Sequence, residues 1–134
     1  MKHKVCKGER EMNDFRISEL LEMSYKLWEK NKATWSPMEP HYGRNMLLWM
    51  VEELGEVISI IKKKGEDEIM SDPELRKAFV EELADVMGYY CEFLNRYSVT
   101  AEELSDSFLA KHKHNMERDY ETQYKNLSIS RRTK

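Results

Sequence analysis

Two hexapeptides, Glu52-Glu53-Leu54-Gly55-Glu56-Val57 and Glu81-Glu82-Leu83-Ala84-Asp85-Val86, write nearly the same acid pattern twice, twenty-nine positions apart. Each places acids three residues apart, Glu53 with Glu56 and Glu82 with Asp85, inside an otherwise apolar stretch. On a helix such residues are neighbours, about 5–6 Å between Cβ atoms. Two carboxylates about 5 Å apart repel by roughly 3 kcal/mol at an effective dielectric near 20, so four gathered in one place call for a cation. Oxygen-only donors suit a hard divalent ion, and Mg²⁺, with Mn²⁺ as a substitute, fits a site that also handles phosphate.

Competing readings are weighed on the same residues. One pair of acids three apart is ordinarily a solvated helix face. The third copy, Glu102 to Asp106, is of that kind: Glu103 and Asp106 follow Thr100 in a first turn, where capping and the helix dipole account for them. Two matched copies in apolar surroundings favour a site. Carboxylate-bridged di-iron bundles need Glu-x-x-His, but Ser59 and Gly88 stand at the histidine positions, and His3, His41, His112 and His114 lie elsewhere.

The elements that must position these acids follow from periodicity. Apolar residues from Phe15 to Trp28 recur at helical spacing. The stretch 33–43 holds two prolines and a glycine with Trp35 and His41, and reads as an aromatic-bearing loop. A second helix starts near Asn45 and stops at three lysines and Gly65. Asp72 as N-cap with Pro73 at the first position opens a third, which runs to about Tyr97. Thr100 with Glu103 has the form of a capping box, and a fourth helix runs from there to roughly Glu121.

In the second helix Leu47, Met50, Val51, Leu54, Val57, Ile58 and Ile61 fall within about 60° of Leu54 and form the expected core stripe. Glu53 and Glu56 lie about 100° and 160° to one side, in a flank shared with Met46, Trp49 and Ile60. The third helix repeats this arrangement around Leu83, with Glu82 and Asp85 on the same relative flank beside Tyr89. An antiparallel hairpin brings the two flanks together. Gly55 and Gly88 are expected to mark close helix approaches, within the chain or at a subunit contact.

The expected fold is all-α, a four-helix bundle whose second and third helices form the acid-bearing hairpin. Residues 1–13 read as a flexible tail, 14–124 as one helical domain and 125–134 as a second, basic tail. Charged residues make up 35% of the 134, and glycine and proline number 5 and 3, which favours helix over hairpin turns. A net charge of −3 gives no reason to expect a nucleic-acid partner. The longest apolar run, residues 46–51, is far shorter than a bilayer span, and the N-terminus lacks a signal-peptide core. Cys6 and Cys91 read as reduced thiols, so the expected location is the cytoplasm, away from membranes.

With Glu-Glu-x-x-Glu at 52–56 and Glu-x-x-Asp at 82–85 on consecutive helices, the sequence resembles the MazG-like all-α nucleoside triphosphate pyrophosphohydrolases. His41-Tyr42-Gly43-Arg44-Asn45 is similar to a lead-in of the dCTP-pyrophosphatase branch, and Lys111, Asn115 and Arg118 match a pattern on the family's last helix. The resemblance implies hydrolysis of a (d)NTP between its α and β phosphates, giving NMP and pyrophosphate. It implies Mg²⁺ held by Glu53, Glu56, Glu82 and Asp85; helical geometry alone leaves Glu52 as an equal partner for Glu56. It also implies a homodimer or homotetramer.

Glu52 and Glu53 are the candidate general bases, since crowded carboxylates gain proton affinity. Lys111 and Arg118 would meet phosphate and Asn115 would donate to it, although their segment is charged throughout, as a solvated face is. Trp35, His41 and Tyr89 would enclose the base, packing being the alternative. Lys62 to Lys64 stand where that branch carries an aromatic, which leaves the base open. Two other functions stay in view: phosphoribosyl-ATP pyrophosphohydrolase of the same fold, and a non-catalytic helical protein that binds metal or a basic surface.

Overall fold

The computed structural model describes residues 14–132, with side chains as far as residue 127. It is all-α among these residues, with six α-helices, one 3₁₀ turn and no strand. Two compact units divide at Thr100–Ala101. The first contains α1 (Ile17–Asn31), the 3₁₀ turn Pro40–Tyr42, α2 (Gly43–Lys64), α3 (Glu66–Ser71) and α4 (Pro73–Arg96). The second contains α5 (Ala101–Glu117) and α6 (Tyr120–Arg132).

The punctuation marks of the sequence act as expected. Gly65 ends α2 at φ 81°, ψ 162°, with its N–H on the Ile61 carbonyl. That backbone region is almost exclusive to glycine, so Gly65→Ala is expected to cost about 1–3 kcal/mol in a denaturant melt. Asp72 caps α4 by accepting from the N–H groups of Glu74 and Leu75 at 3.0 and 3.3 Å, ahead of Pro73. The expected connection between α2 and α4 contains a helix of its own: α3, too short and acidic to show a period, is held by Ile69, which is 4% exposed.

The described residues form six α-helices where four were expected, because two breaks add α3 and α6. In the second unit α5 stops at Glu117 and the chain restarts on a new cap. Asp119 accepts from the N–H of Thr122 at 3.0 Å and from its hydroxyl at 2.6 Å, bonds that hold the Asp119 carboxyl below the ordinary range. An ion pair between Lys125 and Glu121 at 3.2 Å supports the first turns of α6. Helix thus continues to Arg132, through most of the stretch read as a basic tail from residue 125. The expected tail at 1–13, with His3 and Cys6, lies outside the described residues.

The expected core stripe is also corrected. Among the apolar residues around Leu54 only Val57 is buried, at 7% exposure, whereas Val51, Leu54 and Ile58 are 61%, 38% and 55% exposed. On α4 Val80, Leu83 and Met87 are exposed as well, at 47%, 40% and 47%. What α2 turns toward α4 is the flank with the acids: Met46 is 1% exposed, and Trp49 sets its ring edge on Tyr89 with centroids 5.8 Å apart. Periodicity shows that a stripe is apolar without showing what covers it. A Cβ at Gly55 or Gly88 would meet nothing within 4 Å, so neither glycine marks a close approach inside the chain. Gly43 does: a Cβ there would press on the Tyr97 ring, beside Phe93.

Helix α1 lies on α4, where the Asn95 amide donates to the Leu21 carbonyl at 2.9 Å and Leu21, Cys91 and Leu94 are buried. The loop after α1 is held by one acceptor. The Ser36 carbonyl takes the Trp28 indole N–H at 2.8 Å and Arg96 Nη2 at 3.2 Å, tying the loop to α1 and α4 at once. Trp35 precedes this anchor, and its own N–H donates to the Asn31 carbonyl at 2.9 Å.

Candidate functional site

Because α2 and α4 face each other by their acid-bearing flanks, carboxylates from the two hexapeptides meet. Glu53, Glu82 and Asp85 each offer an oxygen within 4.8 Å of the others. Partial loss of hydration, then the charge of Asp85, a side-chain hydrogen bond with Glu82 and the charges of Glu82 and Glu56 push the Glu53 carboxyl above the ordinary carboxylate range. This is the electrostatic signature of a site short of positive charge. An oxygen-only set of three carboxylates from two helices fits a hard divalent cation.

Glu56 was expected to complete the set. It is exposed on α2 and outside the group of mutually close oxygens, although its charge still acts on Glu53. Glu52 is exposed too, and its charge is felt at Tyr89. Burial, then the charges of Glu53, Glu92, Asp85 and Glu52, raise the Tyr89 phenol above its ordinary value.

Two adjoining concavities meet at Tyr89. One, of about 290 Å³, is lined by the apolar and aromatic Trp35, Met46, Trp49 and Tyr89 and by the polar Thr34, Ser36, Glu92 and Arg96. The other is a wider groove of about 650 Å³ between α1 and α4 that carries Glu53 and Asp85. Trp35, Tyr89 and Glu92 line both. Ala84, Gly88 and Cys91, a row of small side chains on α4, leave the room for the groove. A flat apolar group on one side and a polyanion with its counter-cation on the other can therefore occupy the unit together.

Glu92 and Arg96 were not singled out in the sequence. Arg96 is 2% exposed and spends Nη1 on the Glu92 carbonyl and Nη2 on Ser36, both at 3.2 Å. Its Nε is buried with no hydrogen-bond partner. Burial lowers the affinity of Arg96 for its proton and raises that of Glu92, and each charge opposes the other's shift. The signal available was register: Glu92 follows Asp85 by seven residues and Tyr89 by three, and Arg96 follows by four more, all on one face of α4.

His41 lines neither concavity. His41 is exposed in the 3₁₀ turn, edge-on to Tyr42 with centroids 5.2 Å apart. Lys111, Asn115 and Arg118 belong to the second unit, where all three are exposed. Arg118 is engaged locally: Nη2 donates to Gln123 Oε1 at 2.7 Å, and the guanidinium lies 4.9 Å from the Tyr120 ring centroid.

The pattern of the MazG nucleotide pyrophosphohydrolase domain matches residues 42–118, more than half of the chain. No curated protein and no solved structure matches it. The match contains both hexapeptides, and hence all three clustered carboxylates.

Proposed function

Because the chain belongs to the MazG nucleotide pyrophosphohydrolase family, we propose that it hydrolyses a nucleoside triphosphate between the α and β phosphates, releasing NMP and pyrophosphate. The observation that carries this is the meeting of Glu53, Glu82 and Asp85 beside an aromatic-walled cavity. A bound Mg²⁺ would supply charge neutralisation on the phosphate oxygens and a Lewis-acid contact to the leaving pyrophosphate. Glu53, Glu82 and Asp85 would hold it, with Glu56, one turn along α2, as the fourth carboxylate the family resemblance assigns. Water attacks the α phosphorus, the bond to the bridging oxygen breaks, and Glu53 or Glu52 takes the water's proton.

Trp35 and Tyr89 hold the base against their rings, which fixes the triphosphate over the acids. Lys111, Asn115 and Arg118, with His41, are assigned to contacts with the nucleotide on the family resemblance alone. The test is incubation with a panel of ribo- and deoxynucleoside triphosphates and Mg²⁺, followed by product identification. Pyrophosphate is expected; orthophosphate with NDP would reject cleavage at this bond, and no turnover at all would favour a binding protein. The preferred base decides whether the His41–Asn45 lead-in marks the dCTP-pyrophosphatase branch.

The exposed stripe of Val51, Leu54, Ile58, Val80, Leu83 and Met87 suits a second copy of the chain, in a cytoplasmic homodimer or homotetramer. Leu83→Glu is expected to convert the oligomer to monomer in size-exclusion chromatography with light scattering. An unchanged mass would remove this stripe from the interface. No helix among the described residues is long and apolar enough to cross a membrane.

A further inference from the structure

The walls of the smaller cavity do not distinguish one base from another, since every nucleobase has a face that stacks on Trp35, Trp49 or Tyr89. Selection has to come from its polar lining, Thr34, Ser36, Glu92 and Arg96, of which Glu92 alone is an anion. There the Glu92 side chain is 14% exposed, and its carboxylate accepts no hydrogen bond from any described residue. Its nearest cationic atom, Arg96 Nη1, is 3.9 Å away, beyond hydrogen-bond distance, and is occupied by the Glu92 backbone carbonyl. A largely buried carboxylate that only accepts is left lining a space bounded in part by aromatic rings.

We propose that Glu92 reads the edge of the base and restricts the enzyme to nucleotides whose base carries an exocyclic amino group, against uracil and thymine. Cytosine, adenine and guanine each offer an N–H₂ to an ionised acceptor, and hydrogen bonds to charged groups are among the stronger ones. Uracil and thymine offer one ring N–H flanked by two carbonyl oxygens, which bring negative partial charge against the same carboxylate. A site built around one polar contact rejects an analogue that leaves it unpaired far better than an apolar pocket rejects a change of size. Arg96 acts through Glu92: held by two carbonyls, it keeps a positive charge 3.9 Å from the carboxylate, which favours its ionised form.

The inference rests on the proposed nucleotide substrate, and the experiment separates the two. Cytosine and uracil have nearly the same size and differ at the amino position, so dCTP and dUTP form the test pair. Quenching of tryptophan fluorescence gives both dissociation constants with Ca²⁺ in place of Mg²⁺, and a parallel assay with Mg²⁺ gives kcat/KM. Both measures are expected to favour dCTP by about 10-fold or more. Glu92→Gln, whose amide both donates and accepts, is expected to bring the ratio to within about threefold. Glu92→Asp, with the charge kept but withdrawn by one methylene, gives an intermediate ratio, and circular dichroism checks that each variant folds.

A wild-type ratio within threefold overturns the proposal, and so does a large ratio that Glu92→Gln leaves intact. Selective binding without turnover would reject the hydrolase while the assignment to Glu92 stands. Turnover without selectivity would do the reverse, and failure to bind either nucleotide overturns both.

Discussion

Asp85→Asn is expected to lower Mg²⁺-dependent turnover by about 100-fold or more while leaving the helical content seen by circular dichroism unchanged. The magnitude follows from what the side chain does. Even residues that only orient a metal ligand change affinity or activity about 10–100-fold when replaced, and a ligand carries more. Asp85 is exposed, so its amide is accommodated without a packing defect, and one negative charge leaves the neighbourhood of Glu53 and Glu82. The variant without metal is therefore expected to melt at a higher temperature than the wild type, and to lack the upward shift expected of the wild type on adding Mg²⁺. More stable and inactive is the combination that distinguishes a site from a structural acid. Near-normal rates in Asp85→Asn would place the chemistry elsewhere.

Arg96→Met is expected to destabilise the protein by about 3 kcal/mol. The thioether fills much of the space of the guanidinium stem but cannot donate. The Glu92 carboxylate then loses the guanidinium 3.9 Å away, and among the described residues the Ser36 carbonyl keeps the Trp28 indole alone as a partner. Since Ser36 anchors the loop that carries Trp35, the wall of the smaller cavity loosens together with the fold. Urea denaturation measures the first effect and the nucleotide dissociation constant the second. A loss below about 1 kcal/mol would show that the clamp is dispensable.

Much of this arrangement is legible in the chain because its signals are local. Gly65, Asp72 and Pro73 mark helix ends by the backbone angles and bonds available to those residue types, and the structure uses them so. The hexapeptides announce their acids by repetition, and the meeting of Glu53 with Glu82 and Asp85 follows from an antiparallel hairpin. The facing of the hairpin was less legible. Leu54 and Leu83 define the stronger apolar stripes, yet the helices pair through the flanks of Met46, Trp49 and Tyr89. A helix with two apolar faces can bury either one against its neighbour, and composition does not rank them.

Arg96 was hidden for a related reason. A basic residue in the last turn of a helix reads as a complement to the helix dipole, and nothing local reveals that a loop sixty residues earlier returns to accept its hydrogen bond. Glu92 was hidden with it, because a carboxylate four residues before an arginine reads as a surface ion pair. Burial of both, and the cavity at their end of α4, come from tertiary packing of α1 and the loop. Asp119 shows a similar limit at short range. Its position after Arg118 looks like continued helix until its carboxylate is seen capping the next one.

The central claim is that carboxylates from two facing helices hold one divalent cation, and Mn²⁺ titration followed by electron paramagnetic resonance tests it most directly. Adding the wild-type protein is predicted to quench the signal of free Mn²⁺ without any nucleotide, and the Glu53→Gln/Asp85→Asn double variant to leave that signal intact. Equal quenching by the two proteins would contradict the account.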